Sequence, residues 1–128
     1  MGAYYIAKTV SGDFNAVIDR VTAALKAEGF GVLSEIDVSA TLKKKIDVDF
    51  RPYRILGACN PKLAHKALTA EDKIGVMLPC NVIVQQTEKG VEVAAVDPVA
   101  SMQAVDNPGL AGIAGPVRDA LARVVEAV

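Results

Sequence analysis

The sequence Tyr53-Arg54-Ile55-Leu56-Gly57-Ala58-Cys59-Asn60-Pro61 carries a strand directly into the start of a helix. Residues 50–58 are mostly apolar, β-branched or aromatic, which is the composition of a strand. Asn60 is a preferred helix N-cap, and Pro61 suits the first helical position because its missing N–H would have no partner there. We therefore predict a strand over 50–58 and a helix that begins at Pro61.

A second Cys-Asn pair follows in Leu78-Pro79-Cys80-Asn81-Val82, about twenty residues along the chain. Pro79 cannot donate a ladder hydrogen bond, so within a strand predicted over 74–87 it indicates a bulge or a sheet edge. Asparagine favours turns and helix caps because its side chain bonds nearby backbone groups. We expect both thiols where the chain bends at strand ends, which is where binding sites are often built.

The flanking sequence predicts the remaining elements of an α+β domain. Strands are predicted over 4–10, 31–38 and 91–96, a helix over 14–25, a hairpin turn over 87–90, and a closing helix from residue 116. The polar stretch before residue 50 is a short helix or a loop, and 99–115 is loop-like or weakly helical. The order β-α-β-β-α-β-β-α combines hairpins with crossovers, so we predict a mixed or antiparallel sheet covered by helices.

The composition favours one soluble domain over residues 1–128. The chain is 52% hydrophobic and 23% charged with a net charge of -1, which predicts a sizeable core and no nucleic-acid partner. No apolar run approaches the roughly 20 residues of a membrane span, and the residues from Met1 lack the pattern of a secretory signal. We expect a cytoplasmic protein without a membrane partner, whose two cysteines are reduced.

The two Cys-Asn pairs are the primary candidates for a ligand-binding or redox site: Cys59, Asn60, Cys80 and Asn81. Cys59 precedes the N-cap of the predicted helix, where the positive end of the helix dipole stabilises an anion such as a thiolate. Side chains alternate along a strand, and if the two strands are neighbours, both thiols can point into one pocket. The alternative is that each cysteine is a small buried hydrophobe beside a turn.

His65 is the sole histidine and the only further candidate for a metal ligand beside Cys59 and Cys80. Two cysteines and one histidine occur in catalytic zinc sites, but the tight local spacing of a zinc knuckle is absent. The neighbouring Lys62 and Lys66 indicate a solvated helix face instead. The sequence identifies no particular metal or cofactor.

Secondary site candidates are Tyr53, Lys45, Asp97 and Met102. Lys45 belongs to a run of three lysines, which is either a solvated surface or a cationic rim that attracts an anionic ligand toward the helix start. Asp97 and Met102 are candidates to line a pocket, although a turn after a strand and a buried methionine explain them equally well.

The chain resembles the domain of unknown function 302 family. The resemblance rests on the motifs 53–61 and 78–82 and on Asp97-Pro98 with Met102, and length and element order match over nearly the whole chain. It implies a compact α+β domain, usually a homodimer, found mainly in bacteria and archaea. It implies no established activity and assigns no catalytic residues.

Three functions are consistent with these residues. The leading one is a homodimeric module that binds a small ligand, a metal or a metal-bearing cofactor near the two Cys-Asn pairs. The alternative is a thiol-dependent redox enzyme or sulfur carrier, with Cys59 as nucleophile and Cys80 as resolving or relay thiol. The third is a structural role, in which the turns of the motif shape a surface that recognises another protein.

Overall fold

An antiparallel sheet forms the centre of the computed structural model, which describes residues 4–128. Its strands are β1 (Tyr5–Val10), β2 (Gly31–Asp37), β3 (Tyr53–Cys59), β4 (Cys80–Thr87) and β5 (Gly90–Val96). They lie in the order β1-β5-β4-β3-β2, and every neighbouring pair is antiparallel. Residues 1–3, which contributed to the signal-peptide prediction, lie outside the described residues.

Helices connect and cover these strands. They are α1 (Phe14–Ala27), α2 (Val38–Ile46), α3 (Pro61–Ala70), α4 (Pro98–Ser101) and α5 (Ala111–Ala127), with 3₁₀ helices at Asp72–Met77 and Pro108–Leu110. The predicted α+β class is confirmed, and the sheet is antiparallel rather than mixed. Within residues 4–128 no helix has the length and apolarity needed to cross a membrane.

The main core lies between one face of the sheet and helices α1 and α5. Val82 and Val84 are two residues apart in β4, so both side chains point to this face. They are fully buried against helical residues such as Val21 and Leu121. Burying one such side chain stabilises the fold by roughly 1.5–3 kcal/mol. A slip of one residue in β4 would move these valines to the opposite face, so the core fixes the register of the strand.

The register brings the two Cys-Asn pairs to one end of the sheet. Ala58 pairs with Cys80 across β3 and β4. β3 runs toward this end and β4 runs away from it, so the last residue of β3, Cys59, and the first residue of β4, Cys80, both lie here on adjacent strands. The antiparallel β5 also ends at this end of the sheet. The first residue of β3, Tyr53, lies at the opposite end.

The segment before Cys80 differs from the predicted strand. Ile74 lies in the first 3₁₀ helix, where its side chain is 1% exposed and packs with Ala67 and Leu110 in a second, smaller core. A short apolar run cannot distinguish a buried turn from a strand, which explains the error. Pro79 stands just before β4, an internal strand, so the predicted bulge or edge is wrong.

The closing helix begins at Ala111 rather than at Pro116. Sequence favours the later start because Gly112 and Gly115 have low helix propensity and proline is best tolerated in a first turn. Ala114, which lies between the two glycines, is buried against the rest of the domain. Packing of this first turn therefore outweighs the local preference.

The polar stretch before residue 50 forms helix α2. The Asp37 carboxylate caps it by accepting a hydrogen bond from the Ala40 N–H at 3.0 Å. Asp47 ends it in a left-handed conformation, with φ of 55°, and forms an ion pair with Lys43 at 3.0 Å. Since α2 joins the end of β2 to the start of β3, its lysines lie at the end of the sheet away from the cysteines.

Candidate functional site

A cavity of about 290 Å³ opens at the end of the sheet where β3 ends and β4 begins. Its walls come from these two strand ends, from α3 and α5, and from single residues at Phe30, Leu33, Pro98 and Met102. Both cysteines border it, so we call it the cysteine cavity. No lining side chain carries a charge.

The two thiols meet the cavity in different ways. Cys80 shares its face with its cross-strand partner Ala58 and is only 9% exposed. Cys59 is the last residue of β3 and borders the cavity where the chain leaves the sheet for α3; it is half-buried. Both cysteines are free.

Burial shapes the chemistry of Cys80. The pKa of the Cys80 thiol is raised to about 11, mainly by removal from water and to a smaller extent by the neighbouring Cys59, because two thiolates would repel each other. At neutral pH Cys80 is therefore a neutral thiol. It is a small apolar part of the wall rather than a ready nucleophile.

Asn60 is both the N-cap of α3 and part of the cavity wall. Its Oδ1 accepts a hydrogen bond from the Leu63 N–H at 3.3 Å, and Pro61 occupies the first helical position as predicted. Its amide nitrogen lies beside Gly29, which ends α1 with φ of 86°, and a Cβ there would approach this nitrogen to 3.1 Å. Glycine at position 29 thus allows both the left-handed turn and the approach of Asn60.

Gly57 allows the two motifs to pack closely. A Cβ at this position would overlap Ser34 Oγ of β2 and would lie 2.8 Å from Pro79 Cγ. A Cβ would force the Ser34 side chain and the Pro79 ring to move, so the missing side chain lets β2 and the residue before Cys80 approach β3 together.

Asp97 anchors the part of the wall formed by α4. Its Oδ1 caps α4 by accepting from the N–H groups of Val99 and Ala100, and its Oδ2 accepts from Arg118 Nε at 2.9 Å. Burial alone would raise the pKa of the Asp97 carboxyl, but the hydrogen bond from Arg118, the backbone N–H groups and the Arg118 charge together hold it below its usual value. Asp97 supports the wall that Met102 lines, without lining the cavity itself.

Comparison with known proteins identifies the family of this chain, and the match covers nearly all of its residues. Residues 6–128 match the family model described as "Domain of unknown function DUF302". The chain belongs to the DUF302 family. It is similar to a crystal structure described as an uncharacterized conserved protein DUF302 from Bacillus stearothermophilus, with 31% identity, 96% of each chain covered and a TM-score of 0.89. No curated protein matches.

In this DUF302 chain the fourth primary candidate is separated from the other three. Asn81 follows Cys80 within β4, so its side chain emerges on the face of the sheet opposite α1 and α5, which we call the second face. There it lines a broader concavity of about 420 Å³ together with Tyr53 and Gln85. Cys80 is the first residue of β4, at the strand end, whereas Asn81 lies inside the strand and forms neither a turn nor a helix cap.

The structure does not bring His65 or Lys45 to the cysteines. His65 is exposed on α3 and is not part of the cavity wall, and Lys45 is exposed on α2 at the other end of the sheet. A cationic rim directed at Asn60 is therefore not formed. Among residues 4–128 no three or more histidine, cysteine or acidic side chains are grouped so that they could hold a metal.

Sequence reasoning missed several apolar residues of the DUF302 cavity. Phe30 comes from the turn after α1 and Leu33 from an irregularity in β2, where the register with β3 shifts. Ile113 and Val117 come from α5, whose first turn was predicted as loop-like or weakly helical. The pair Gly29 and Gly31 around Phe30 was the one local signal for a close approach of backbone at this point.

Proposed function

We propose that this DUF302 domain binds a small molecule in the cysteine cavity. One observation carries the proposal: an apolar cavity of about 290 Å³ with two thiols and the Asn60 amide on its wall. Native interiors contain few voids larger than a water molecule. Small-molecule sites typically have volumes of roughly 300–1,000 Å³, mostly apolar walls and a few polar groups, which is the composition seen here.

The rim of the cavity offers a route for a ligand. Leu33 is 71% exposed and Leu68 is 43% exposed, and both line the cavity. They therefore stand where the cavity meets solvent. Exposed leucines at the mouth of an apolar site are covered when a ligand binds, which adds to the free energy of binding.

The properties of the thiols favour binding over a thiol relay. A resolving thiol must become a thiolate to attack, and burial raises the pKa of Cys80 to about 11. Cys59 is half-buried at the wall and is available to contact a ligand directly. Two free thiols are also consistent with the reducing cytoplasmic location that we propose from the sequence.

We further propose that the domain is a homodimer that associates through the second face. The paired register aligns an apolar row across all five strands, formed by Ile36, Ile55, Ile83, Ala94 and Ala7. Its edge residue Ile36 is 48% exposed. Light scattering should give a dimer mass for the native chain and a monomer mass for Ile83→Lys; a monomeric native chain would exclude this arrangement.

The binding proposal is tested with ethylbenzene as an uncharged probe and chemical-shift mapping by NMR. We expect saturable shifts at cavity residues in the native chain and their loss in Ala64→Phe, because Ala64 lines the cavity and the larger ring would fill it. Lys66→Phe is the matched control, since Lys66 is exposed on the same helix and lies outside the wall. Absence of saturable shifts in the native chain, or unchanged binding by Ala64→Phe, would overturn the proposal.

A further inference from the structure

The walls of the cysteine cavity indicate the charge of its ligand, provided that the proposed binding function holds. Every lining side chain is uncharged, and none belongs to a lysine, arginine, histidine, aspartate or glutamate. Transfer of an unpaired charge from water into such surroundings is strongly unfavourable. At the start of α3, Pro61 has no N–H to offer, and the Leu63 N–H already donates to Asn60 Oδ1. A neutral ligand is therefore favoured over a phosphate or a carboxylate.

The polar groups of the wall indicate which hydrogen bond the ligand makes. Apart from sulfur, the lining side chains offer polar atoms only at Asn60. Its Oδ1 is engaged by Leu63, whereas Nδ2 donates no hydrogen bond to any residue in the described range 4–128. Thiols and thioethers are weak hydrogen-bonding groups. The free polar atom of this lining residue is thus a donor, and its complement is an acceptor oxygen.

The volume limits the size of the ligand. A cavity of about 150 Å³ lined by apolar side chains accepts benzene. The cysteine cavity is larger, at about 290 Å³, and has room for a ring with a short substituent or for a short branched chain.

We propose that the cavity binds a neutral, largely apolar molecule of this size whose carbonyl or similar acceptor oxygen receives a hydrogen bond from Asn60 Nδ2. The apolar body lies against α3 and α5, and the oxygen points to the junction of β3 and α3. The two polar atoms of the N-cap asparagine then have separate roles. Oδ1 accepts the hydrogen bond that caps α3, and Nδ2 donates a hydrogen bond to the ligand.

Three probes of similar shape separate these features: acetophenone, which is neutral with an acceptor; ethylbenzene, which is neutral without one; and benzoate, which is an anion. In the native chain we expect acetophenone to bind about fivefold more tightly than ethylbenzene, the effect of one net hydrogen bond. Benzoate is expected to bind more weakly than either neutral probe. Titrations followed by NMR shifts of the cavity residues measure all three dissociation constants.

Asn60→Asp is the discriminating variant. Aspartate caps helices as well as asparagine does but donates no hydrogen bond when ionised. We expect it to abolish the preference for acetophenone over ethylbenzene. Asn60→Ser, which also retains a capping oxygen but has a shorter side chain, is expected to do the same, and thermal melts of both variants show whether the fold is kept.

The outcomes distinguish this inference from the proposed function on which it rests. Equal affinity for acetophenone and ethylbenzene in the native chain, or a preference that survives in both Asn60 variants, would overturn the role of Nδ2 while leaving apolar binding intact. Tighter binding of benzoate would overturn the neutral ligand. If no probe shifts the cavity residues, the proposed function itself fails.

Discussion

The two Cys-Asn pairs have identical residues but opposite structural settings. In the first pair, Cys59 ends β3 and is half-buried, while Asn60 begins α3 and faces the cysteine cavity. In the second pair, Cys80 is 9% exposed inside the core and Asn81 is exposed on the second face. The first pair offers reachable polar groups to the cavity, whereas the second contributes a buried thiol and turns its amide away.

The residues that follow each pair account for the difference. Pro61 follows the first pair and turns the chain into a helix, so the asparagine becomes a cap and stays beside the cysteine. Val82 follows the second pair and continues a strand with buried alternate positions, so the two side chains emerge on opposite faces. A dipeptide by itself therefore does not define a site; the element that it enters does.

The largest expected contrast between the pairs is in thiol reactivity. Because the pKa of Cys80 is raised to about 11, its thiolate fraction near pH 8 is roughly a hundredfold below that of an ordinary thiol. We expect alkylation of Cys80 by iodoacetamide, measured in Cys59→Ala, to rise steadily with pH without reaching a plateau near pH 9. Loss of Cys59 removes the smaller cause of the shift, so the midpoint in this variant should lie somewhat below 11 and still above the ordinary value.

The same shift predicts a pH dependence of stability. The folded chain holds the Cys80 proton more tightly than the unfolded chain does, so the contribution of this thiol to the free energy of unfolding is complete below the ordinary thiol pKa and is lost as pH rises through about 11.

The control for the alkylation experiment is the same reaction in denaturant, where both cysteines should react alike. A plateau for folded Cys80 near pH 9 would show that burial does not raise the pKa of this thiol and would remove the contrast.

A second test compares the cost of a hydroxyl at each cysteine. Cys80→Ser places a polar group among buried valines, and we expect a loss of about 1–3 kcal/mol in the free energy of unfolding. Cys59→Ser is its matched control and should change stability by less than about 1 kcal/mol, because its side chain is half-buried and near solvent. Urea denaturation measures both; equal losses would mean that the two thiols have the same surroundings.

Local chemistry predicted the parts of the fold whose signals are self-contained. The helix start at Asn60 and Pro61, the hairpin turn before β5 and the apolar spacing of α1 all come from residues near one another in sequence. The α+β class follows from their order. The segment at Ile74 was wrongly predicted as a strand, and the start of α5 was predicted at Pro116 instead of Ala111, because contacts between distant segments outweigh local propensity there.

The site was predictable only in its centre. The sequence places Cys59, Asn60 and Cys80 near strand ends, and the pairing of Ala58 with Cys80 brings them to one cavity. Phe30 and Val117 could not be found in the same way, because they reach the cavity through the packing of α1 and α5 and carry no chemical signal of their own. Their contribution is shape, which depends on the assembled fold.

The smallest expected effect is a difference in the free energy of unfolding between variants of the two asparagines. It tests directly whether the two Cys-Asn pairs have different structural roles. Asn60→Ala removes the side-chain oxygen that accepts from the Leu63 N–H, and loss of such a cap costs about 1 kcal/mol. Asn81→Ala removes an exposed amide from a strand and should stay within about 0.5 kcal/mol of the native chain. Chemical denaturation of the two variants in parallel measures the difference.

Rescue separates capping from other effects of the substitution at position 60. Asn60→Asp should restore the lost stability because its carboxylate accepts the same hydrogen bond, whereas Asn81→Asp should behave like Asn81→Ala. If Asn60→Ala were as stable as Asn81→Ala, α3 would begin without help from its cap. The first Cys-Asn pair would then owe its position at the cavity to Pro61 and to packing alone, and the amide of Asn60 would be free to bind a ligand through either of its polar atoms.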